Sequence, residues 1–274
     1  MKTIVIVLVN YKKEHELVAF AKTFLFSQEY KNLQLIIVDN GSVDNSILSE
    51  ILPDTKISLV VSEQNVGYIG AAAVAFDYYM TNNGNQLPDY FIISNFDLSF
   101  DPIRFFDKLI MLLDESGVSV AGPHIVSSLN GASLNPMYKR RLTSSHLQRL
   151  IRVTNNYKVF FAYQLLHYAK RKLTAKSSGS YASVEDTYAV HGSMMILAKS
   201  FFEKGGTLKY DSFLYGEEIY IAEQCRELGL KTMVFHELKV THHEHSTTGN
   251  IKNRMHMKFL NSSLKFLHSK YYND

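Results

Sequence analysis

Four groups of side chains in this sequence have the types and spacing of reactive chemistry. Asp39 and Asp97 follow the apolar runs Leu33-Gln34-Leu35-Ile36-Ile37-Val38 and Tyr90-Phe91-Ile92-Ile93-Ser94, so each carboxylate stands where a strand should end. A carboxylate there can accept hydrogen bonds from a base or ribose, or ligate a hard divalent cation. Asp39 can equally close an Asx-turn over Asn40-Gly41. Glu217 and Glu218 are adjacent acids after Phe213-Leu214-Tyr215-Gly216. Such a pair can remove a proton from a substrate, or it can merely complement a helix dipole, worth about 0.3–1 kcal/mol. His242-His243-Glu244-His245 offers imidazoles, which suit Mn²⁺ better than Mg²⁺, although a lone histidine is more often structural. In Asn65-Val66-Gly67 the glycine, lacking a Cβ, either lets backbone approach a ligand closely or simply makes a loop-to-helix turn.

Several other chemistries are excluded. The chain has one cysteine, Cys225, so it can form no intramolecular disulfide and no thiolate-clustered metal site. Neither Gly-x-Gly-x-x-Gly after the first strand nor Gly-x-x-x-x-Gly-Lys-Ser/Thr anywhere is present, which leaves dinucleotide and P-loop readings unsupported. Thr3 to Val9 is too short an apolar run to cross a membrane or direct secretion. The expectation is a globular chain in a reducing, cytoplasmic compartment.

The elements that must position these groups read clearly in the first hundred residues. Thr3–Val9 is a continuous β-branched run, expected of a strand buried on both faces, and a helix is expected from about Lys13 to Ser27. Strands follow at Leu33–Val38, Ile57–Val61 and Tyr90–Ser94, with an alanine-rich helix over Ala71–Met80. Strands alternating with helices imply right-handed β-α-β units and an open, mostly parallel α/β sheet. Ligands of such sheets bind beyond the carboxyl ends of the strands, where Asn10-Tyr11, Asp39-Asn40-Gly41, Ser62 to Gly67 and Asn95-Phe96-Asp97 lie. Further on, Ile219–Leu228 reads as a helix stopped by Gly229, and Arg254–Tyr272 as an amphipathic helix.

The ordered pieces Val9-Asn10-Tyr11, Val38-Asp39-Asn40-Gly41-Ser42-Val43-Asp44, Asn65-Val66-Gly67-Tyr68-Ile69-Gly70-Ala71, Asn95-Phe96-Asp97, His191-Gly192-Ser193-Met194-Met195, Phe213 to Glu218, and Val240-Thr241-His242 with Ser246 resemble the family 2 glycosyltransferases over nearly the whole length. They look most like bacterial transferases that build rhamnose-containing and other cell-surface polysaccharides. The resemblance implies a GT-A fold, a Rossmann-like central sheet flanked by helices, and inverting transfer from a UDP- or dTDP-sugar. It implies a nucleotide-sugar lobe over residues 1–97 using Val9, Asn10, Tyr11, Asp39, Asn65, Gly67, Asn95 and Asp97. Residues 98–274 would then hold the acceptor, with His191, Gly192 and Ser193 on its side.

Asn95-Phe96-Asp97 stands where that family has Asp-x-Asp, which makes Asp97 the expected ligand of Mn²⁺ or Mg²⁺ on the donor diphosphate. Asn95 for the first Asp removes one charge and implies modest metal affinity. His242 matches the family's late metal ligand, with His243 and His245 as neighbours able to substitute. Glu218 takes the position of the family's usual Asp and is the expected base. Glu217 is the orienting residue or runner-up.

Between Ser116 and Val184 there is no Asp or Glu, while ten Lys and Arg give that stretch +10 in a chain of net +3. Its centre, about residues 138–176, mixes cations with Leu147, Leu150, Phe160, Phe161, Leu165 and Leu166, as an inserted basic helix or helix pair would. That composition suits a membrane interface with anionic head groups, but equally an amphipathic helix packed on its own domain or on a second subunit. No nucleic-acid recognition motif accompanies the charge. The acceptor class implied by the resemblance is a glycan or polyprenyl-diphosphate-linked chain. Two other readings remain at this point: a non-catalytic sugar-nucleotide or membrane-binding partner of an assembly complex, and a sugar nucleotidyltransferase. The latter should show a glycine-rich, Arg-containing signature where Asn10-Tyr11-Lys12-Lys13 stands.

Overall fold

The computed structural model describes all residues except 28–29, 31, 43–47, 49, 53, 55, 101–104, 174–182, 244–252 and 273–274. Val43, Asp44, Lys176, His245 and Ser246 therefore lie outside the described residues. In chain order the elements are β1 (Ile4–Asn10), α1 (Glu14–Ser27), β2 (Leu33–Asn40), β3 (Ile57–Ser62), α2 (Tyr68–Asn82), β4 (Tyr90–Ser94), β5 (Leu98–Phe100), α3 (Phe105–Ser116), β6 (Val120–Ser127), α4 (Ser144–Thr154), α5 (Tyr157–Leu173), β7 (Val184–Asp186), β8 (Met194–Ala198), α6 (Lys199–Glu203), α7 (Glu217–Glu227), β9 (Thr232–His242) and α8 (Arg254–Tyr271).

One sheet joins all nine strands in the order β3-β2-β1-β4-β8-β6-β9-β5, with β7 paired to β9. The expected parallel arrangement holds through β3, β2, β1 and β4. Beyond β4 the sheet is mixed, because β8 runs antiparallel to both β4 and β6, and β5 and β7 run antiparallel to β9. The ranges 1–97 and 98–274 thus share a single continuous sheet.

Alternation along β1 divides the core between two faces. Ile4, Ile6 and Leu8 pack with Leu17 of α1 and with Phe106 and Leu109 of α3. Val5 and Val7 pack with Ile69 and Ala72 of α2, Ile219 and Tyr220 of α7 and Leu267 of α8. Burying each such side chain fully contributes about 1.5–3 kcal/mol, which is why these apolar runs become central strands. Cys225 lies in this second cluster, where burial pushes its thiol up to about 11.

Two departures from sequence expectation matter for the site. Helix α2 begins at Tyr68, before the alanine run, with Gly67 at φ 81° immediately ahead of it. Helix α7 begins at Glu217, so both acids sit in its first turn. A third feature has no local sequence signal. One step along β6, Pro123 to His124, is matched by four along β9, Phe235 to Lys239, which makes a bulge. It is pinned by His236, whose Nδ1 lies 3.0 Å from His124 Nδ1 and whose Nε2 lies 3.1 Å from Glu185 Oε2. Lys139 holds the other Glu185 oxygen at 2.7 Å.

The basic segment is a helix pair, and α4 packs on its own domain. Thr143 caps α4, Leu147 is fully buried, and Asn261 of α8 donates to Ile151 O and Thr154 Oγ1. Ser144 and Gln148 both reach His268 of α8. Helix α5 buries Phe160 but exposes Val159, Phe161, Leu165 and Leu166.

Candidate active site

Asp97 lies just past the carboxyl end of β4, and the short β5 carries the chain from it alongside β9. In that ladder Leu98 faces His242, and His243 N–H donates to Asp97 O at 2.7 Å. Pairing of two strands about 145 residues apart thereby sets Asp97 Oδ1 at 3.1 Å from His242 Nε2. Both groups are largely withdrawn from water, and apart from that contact neither Asp97 Oδ1 nor His242 Nδ1 has a hydrogen-bond partner among the described residues. A buried carboxylate oxygen without a partner is costly, and facing an imidazole nitrogen at this distance it has the chemistry of a cation ligand. The residues present therefore fit a divalent ion with an O/N donor pair. Among the described residues no cluster of three or more His, Cys, Asp or Glu could hold a metal. Of the neighbouring imidazoles, His243 is turned to Ser99 Oγ at 2.8 Å, and His245 is outside the described residues.

Glu217 and Glu218 open α7. Glu217 is buried, and its Oε1 accepts from Tyr215 N–H at 2.8 Å. Tyr215 holds φ at 73°, unusual for a residue with a side chain, and its carbonyl accepts from the hydroxyls of Tyr210 and Ser263. Glu218 Oε1 accepts from Gly192 N–H at 3.2 Å. Burial and the neighbouring Glu218 charge push Glu217 up to about 8, and burial raises Glu218 as well. Two adjacent buried acids cannot both ionise cheaply.

The segment His191-Gly192-Ser193 joins the two groups. The His191 ring stands 6.0 Å from that of His242, and Ser193 O accepts from Asn95 N–H at 2.8 Å. A Cβ at Gly192 would come within 2.7 Å of Glu218 Oε1, so the missing side chain is what allows the glutamate to approach. Tyr68 lies in the same space. Its hydroxyl donates to Gly192 O at 3.1 Å, and burial with the charges of Glu217, Asp97 and Glu218 holds its phenol well above the usual range. Sequence reasoning quoted Tyr68 within a motif but gave it no role, since only the fold brings it between the acids.

The remaining expected residues gather at the parallel half. Val9 packs beside its β2 partner Val38. Asn10 Nδ2 donates to Asp39 Oδ1 at 3.2 Å, to Ser42 Oγ and to Glu14 Oε1, and its own oxygen accepts from Lys13 N–H. Asp39 is fully buried at this strand end, whereas Tyr11 is 46% exposed. Asn65 Oδ1 accepts from Gly67 N–H and from Asn40 Nδ2, both at 3.0 Å. At Gly67, expected to let the backbone approach a nucleotide closely, a Cβ would lie 1.8 Å from Phe213 O. That glycine serves close packing of two backbones.

Beside the glutamates is a cleft of about 580 Å³ walled by α4, α5 and α8. Its lining includes Tyr138, Arg149, Val153, Phe160, Tyr215, Glu217 and Glu218. His191, Gly192 and Ser193, expected on the acceptor side, are not part of that wall. No sequence motif marks it, because its residues come from four separated segments.

The family model described as Glycosyl transferase family 2 matches residues 3–176, more than half of the chain. No curated protein sequence matches it. Among solved structures it is similar to GalNAc-T7 with UDP, GalNAc and Mn²⁺, at 12% identity and a TM-score of 0.67, covering 100% of this chain and 49% of that one. A mannosyltransferase from Pyrobaculum calidifontis in complex with GDP-Man and Mn²⁺ aligns at 14% identity and TM-score 0.52, covering 89% and 58%. S. aureus TarS 1-349 aligns at 10% identity and TM-score 0.57, covering 99% and 72%. The chain spans about half the length of the first of these and 58% of the second. At such identities the shared property is the GT-A fold. By the family match the chain belongs to the family 2 glycosyltransferases.

Proposed function

We propose that this family 2 glycosyltransferase catalyses inverting, cation-dependent transfer of a sugar from a UDP- or dTDP-sugar to a hydroxyl of a glycan or lipid-linked acceptor in cell-surface polysaccharide synthesis. The observation that carries the proposal is that both groups meet the segment His191-Gly192-Ser193: the His191 ring stands 6.0 Å from that of His242, which faces Asp97, and Gly192 N–H donates to Glu218. Asp97 and His242 are the residues that would hold Mn²⁺ or Mg²⁺. Such an ion, when bound, neutralises charge on the departing nucleoside diphosphate.

The chain's own residues supply the rest. Glu218, in van der Waals reach of the Gly192 backbone and lining the acceptor cleft, takes the proton of the attacking hydroxyl. Its raised pKa brings it toward the range in which a carboxylate is an effective base near neutral pH. Burial raises Glu217 as well, and of the two acids Glu218 is the one that faces the Gly192 backbone. Tyr68, neutral and hydrogen-bonded to Gly192 O, fixes the strap between the two halves. Asn10 and Asp39 brace the strand ends that form the donor floor, and Tyr11 stands exposed at its rim.

Exposed Val159, Phe161, Leu165 and Leu166 on α5, in a segment without acids, support contact with an anionic membrane surface on the cytoplasmic side. No described helix is long and apolar enough to cross a membrane. The test of the catalytic assignment is Glu218→Gln, whose amide oxygen can still accept from Gly192. Transfer or donor hydrolysis, measured across a panel of nucleotide sugars with Mn²⁺, is expected to fall by about 10²–10⁴-fold with nucleotide affinity unchanged. Turnover at the parental rate would remove Glu218 as base.

A further inference from the structure

We infer that Asn135 is a positioning residue of this site: buried behind the His191-Gly192-Ser193 strap, it holds the strap where Gly192 N–H meets Glu218, and so sets the place of the base. The inference rests on the transferase reading and adds to it a side chain that acts through another residue.

Asn135 lies in the segment between β6 and α4. In that segment Tyr138 and Ala189 exchange backbone hydrogen bonds, Tyr138 N–H to Ala189 O at 3.1 Å and Ala189 N–H to Tyr138 O at 3.0 Å. This bridge lays the segment alongside the chain just ahead of the strap. Asn135 is only 1% exposed, and both ends of its amide are used. Its Oδ1 accepts from His191 N–H at 2.9 Å, and its Nδ2 donates to Pro123 O of β6 at 2.8 Å. The two partners fix which way the amide points, since only its oxygen can accept from an N–H and only its nitrogen can donate to a carbonyl. The Asn135 carbonyl in turn accepts from Ser133 Oγ at 2.8 Å. Room is left on β6 as well: a Cβ at Gly122 would stand 2.5 Å from Asn135 Nδ2. A planar amide thus spans the gap from β6 to the first residue of the strap.

The residues after His191 give this link its part in the chemistry. Gly192 N–H donates to Glu218 Oε1 at 3.2 Å, while Gly192 O accepts from the Tyr68 hydroxyl and Ser193 O from Asn95 N–H. Tyr68 and Asn95 hold carbonyls of the strap. Asn135 holds an N–H, one residue before the N–H that Glu218 uses. A main-chain N–H that loses its acceptor costs free energy unless it turns toward another, and the neighbouring peptide turns with it. The Gly192 hydrogen bond lowers the Glu218 carboxyl against the larger rise imposed by burial, so displacing the strap lets that carboxyl rise further. Asp97 and His242 are set otherwise, by the ladder between β5 and β9. Loss of Asn135 should therefore disturb the base and spare the cation pair.

Asn135→Leu keeps much of the side chain's shape and removes both of its hydrogen bonds. Ser133→Ala removes only the bond to the Asn135 carbonyl and serves as the control. The Glu218 carboxyl is followed by nuclear magnetic resonance in protein isotope-labelled at the glutamate carboxyl carbon, with Glu218→Gln assigning its signal. In Asn135→Leu that signal should titrate at higher pH than in the parent. Transfer or donor hydrolysis, over a panel of UDP-, GDP- and dTDP-sugars with Mn²⁺, should fall about tenfold in kcat. Mn²⁺-dependent affinity for UDP, GDP or dTDP should stay at the parental value, and Ser133→Ala should alter none of these. A Glu218 titration in Asn135→Leu that coincides with the parent's overturns the inference. An equal displacement in Ser133→Ala also overturns it, because Asn135 would then be general support for its segment. If Asn135→Leu loses its native circular dichroism, the parent decides: the Gly192 amide and the Asn135 side-chain amide should both shift along the Glu218 titration, and an Asn135 signal indifferent to it overturns the inference. Absence of Mn²⁺-dependent nucleotide binding in the parent sinks the transferase reading, whereas an unmoved Glu218 titration with that binding intact sinks only the role of Asn135.

Discussion

The two halves of the sheet solve the problem of placing a side chain in different ways. In the parallel half, β3, β2, β1 and β4 all end on the same edge, so Asn10, Asp39 and the Asn95–Asp97 segment arrive there as a consequence of strand direction. In the mixed half nothing so simple operates. His242 reaches Asp97 because β5 pairs antiparallel with β9, and the glutamates reach the cleft because α7 starts against the His191–Ser193 strap. The parallel strands are flanked by helices on both faces of one sheet, whereas the cleft beside the glutamates is walled by side chains from α4, α5, α7 and α8. The difference teaches that strand direction alone gathers groups at a sheet edge, while a cleft walled by helices needs several remote elements to pack together.

The comparison can be broken at its joints. Asp97→Ala removes the partner that the parallel half contributes to the cation pair. Mn²⁺-dependent nucleotide affinity should fall by about a hundredfold, as judged by calorimetry with and without chelator, given that even supporting residues of metal sites are worth 10–100-fold. Unchanged affinity would take the cation out of this cleft. Gly192→Ala acts at the strap, where the new methyl would meet Glu218 Oε1 at 2.7 Å. A carboxylate end can swing aside, so the fold should survive, but kcat should drop about tenfold through displacement of the base. An unaltered kcat would mean that Glu218 does not need its present position.

The smallest effect is expected within the acceptor half, at Glu217. Its folded-state pKa of about 8 lies above the ordinary 4.5. Folding therefore takes up a proton between those values, and the associated stabilisation is complete below about 4.5 and is lost as pH rises toward 8. Glu217→Gln keeps an oxygen for Tyr215 N–H and cannot ionise. Its Tm should exceed that of the parent by a few degrees at pH 8, with the two curves meeting near pH 4.5. Parallel Tm-against-pH curves would show that Glu217 is not held protonated.

The same contrast explains what could be read from the amino-acid sequence. Leu33–Val38 and Tyr90–Ser94 are apolar runs stopped by polar residues, so the strands and the carboxylates after them were visible in one pass. Glu217-Glu218 was visible as a pair at a helix start. The proximity of Asp97 to His242 was suggested only by family likeness, since no local pattern encodes a ladder between residues so far apart. The contact of Gly67 with Phe213 had no local signal, because the two are remote in the chain. Tyr68 stood in a quoted motif without a role, since a tyrosine at a helix start is unremarkable until its surroundings are known.

The kink in β9 acts as a spacer of adjustable length. Side chains of a strand alternate between its faces, so the odd number of extra residues stored between Phe235 and Lys239 determines on which face His242 emerges. Shortening that reserve by one residue would leave the strand paired yet turn the imidazole away from Asp97. A change of one residue there would separate the two side chains with the rest of the sequence unaltered.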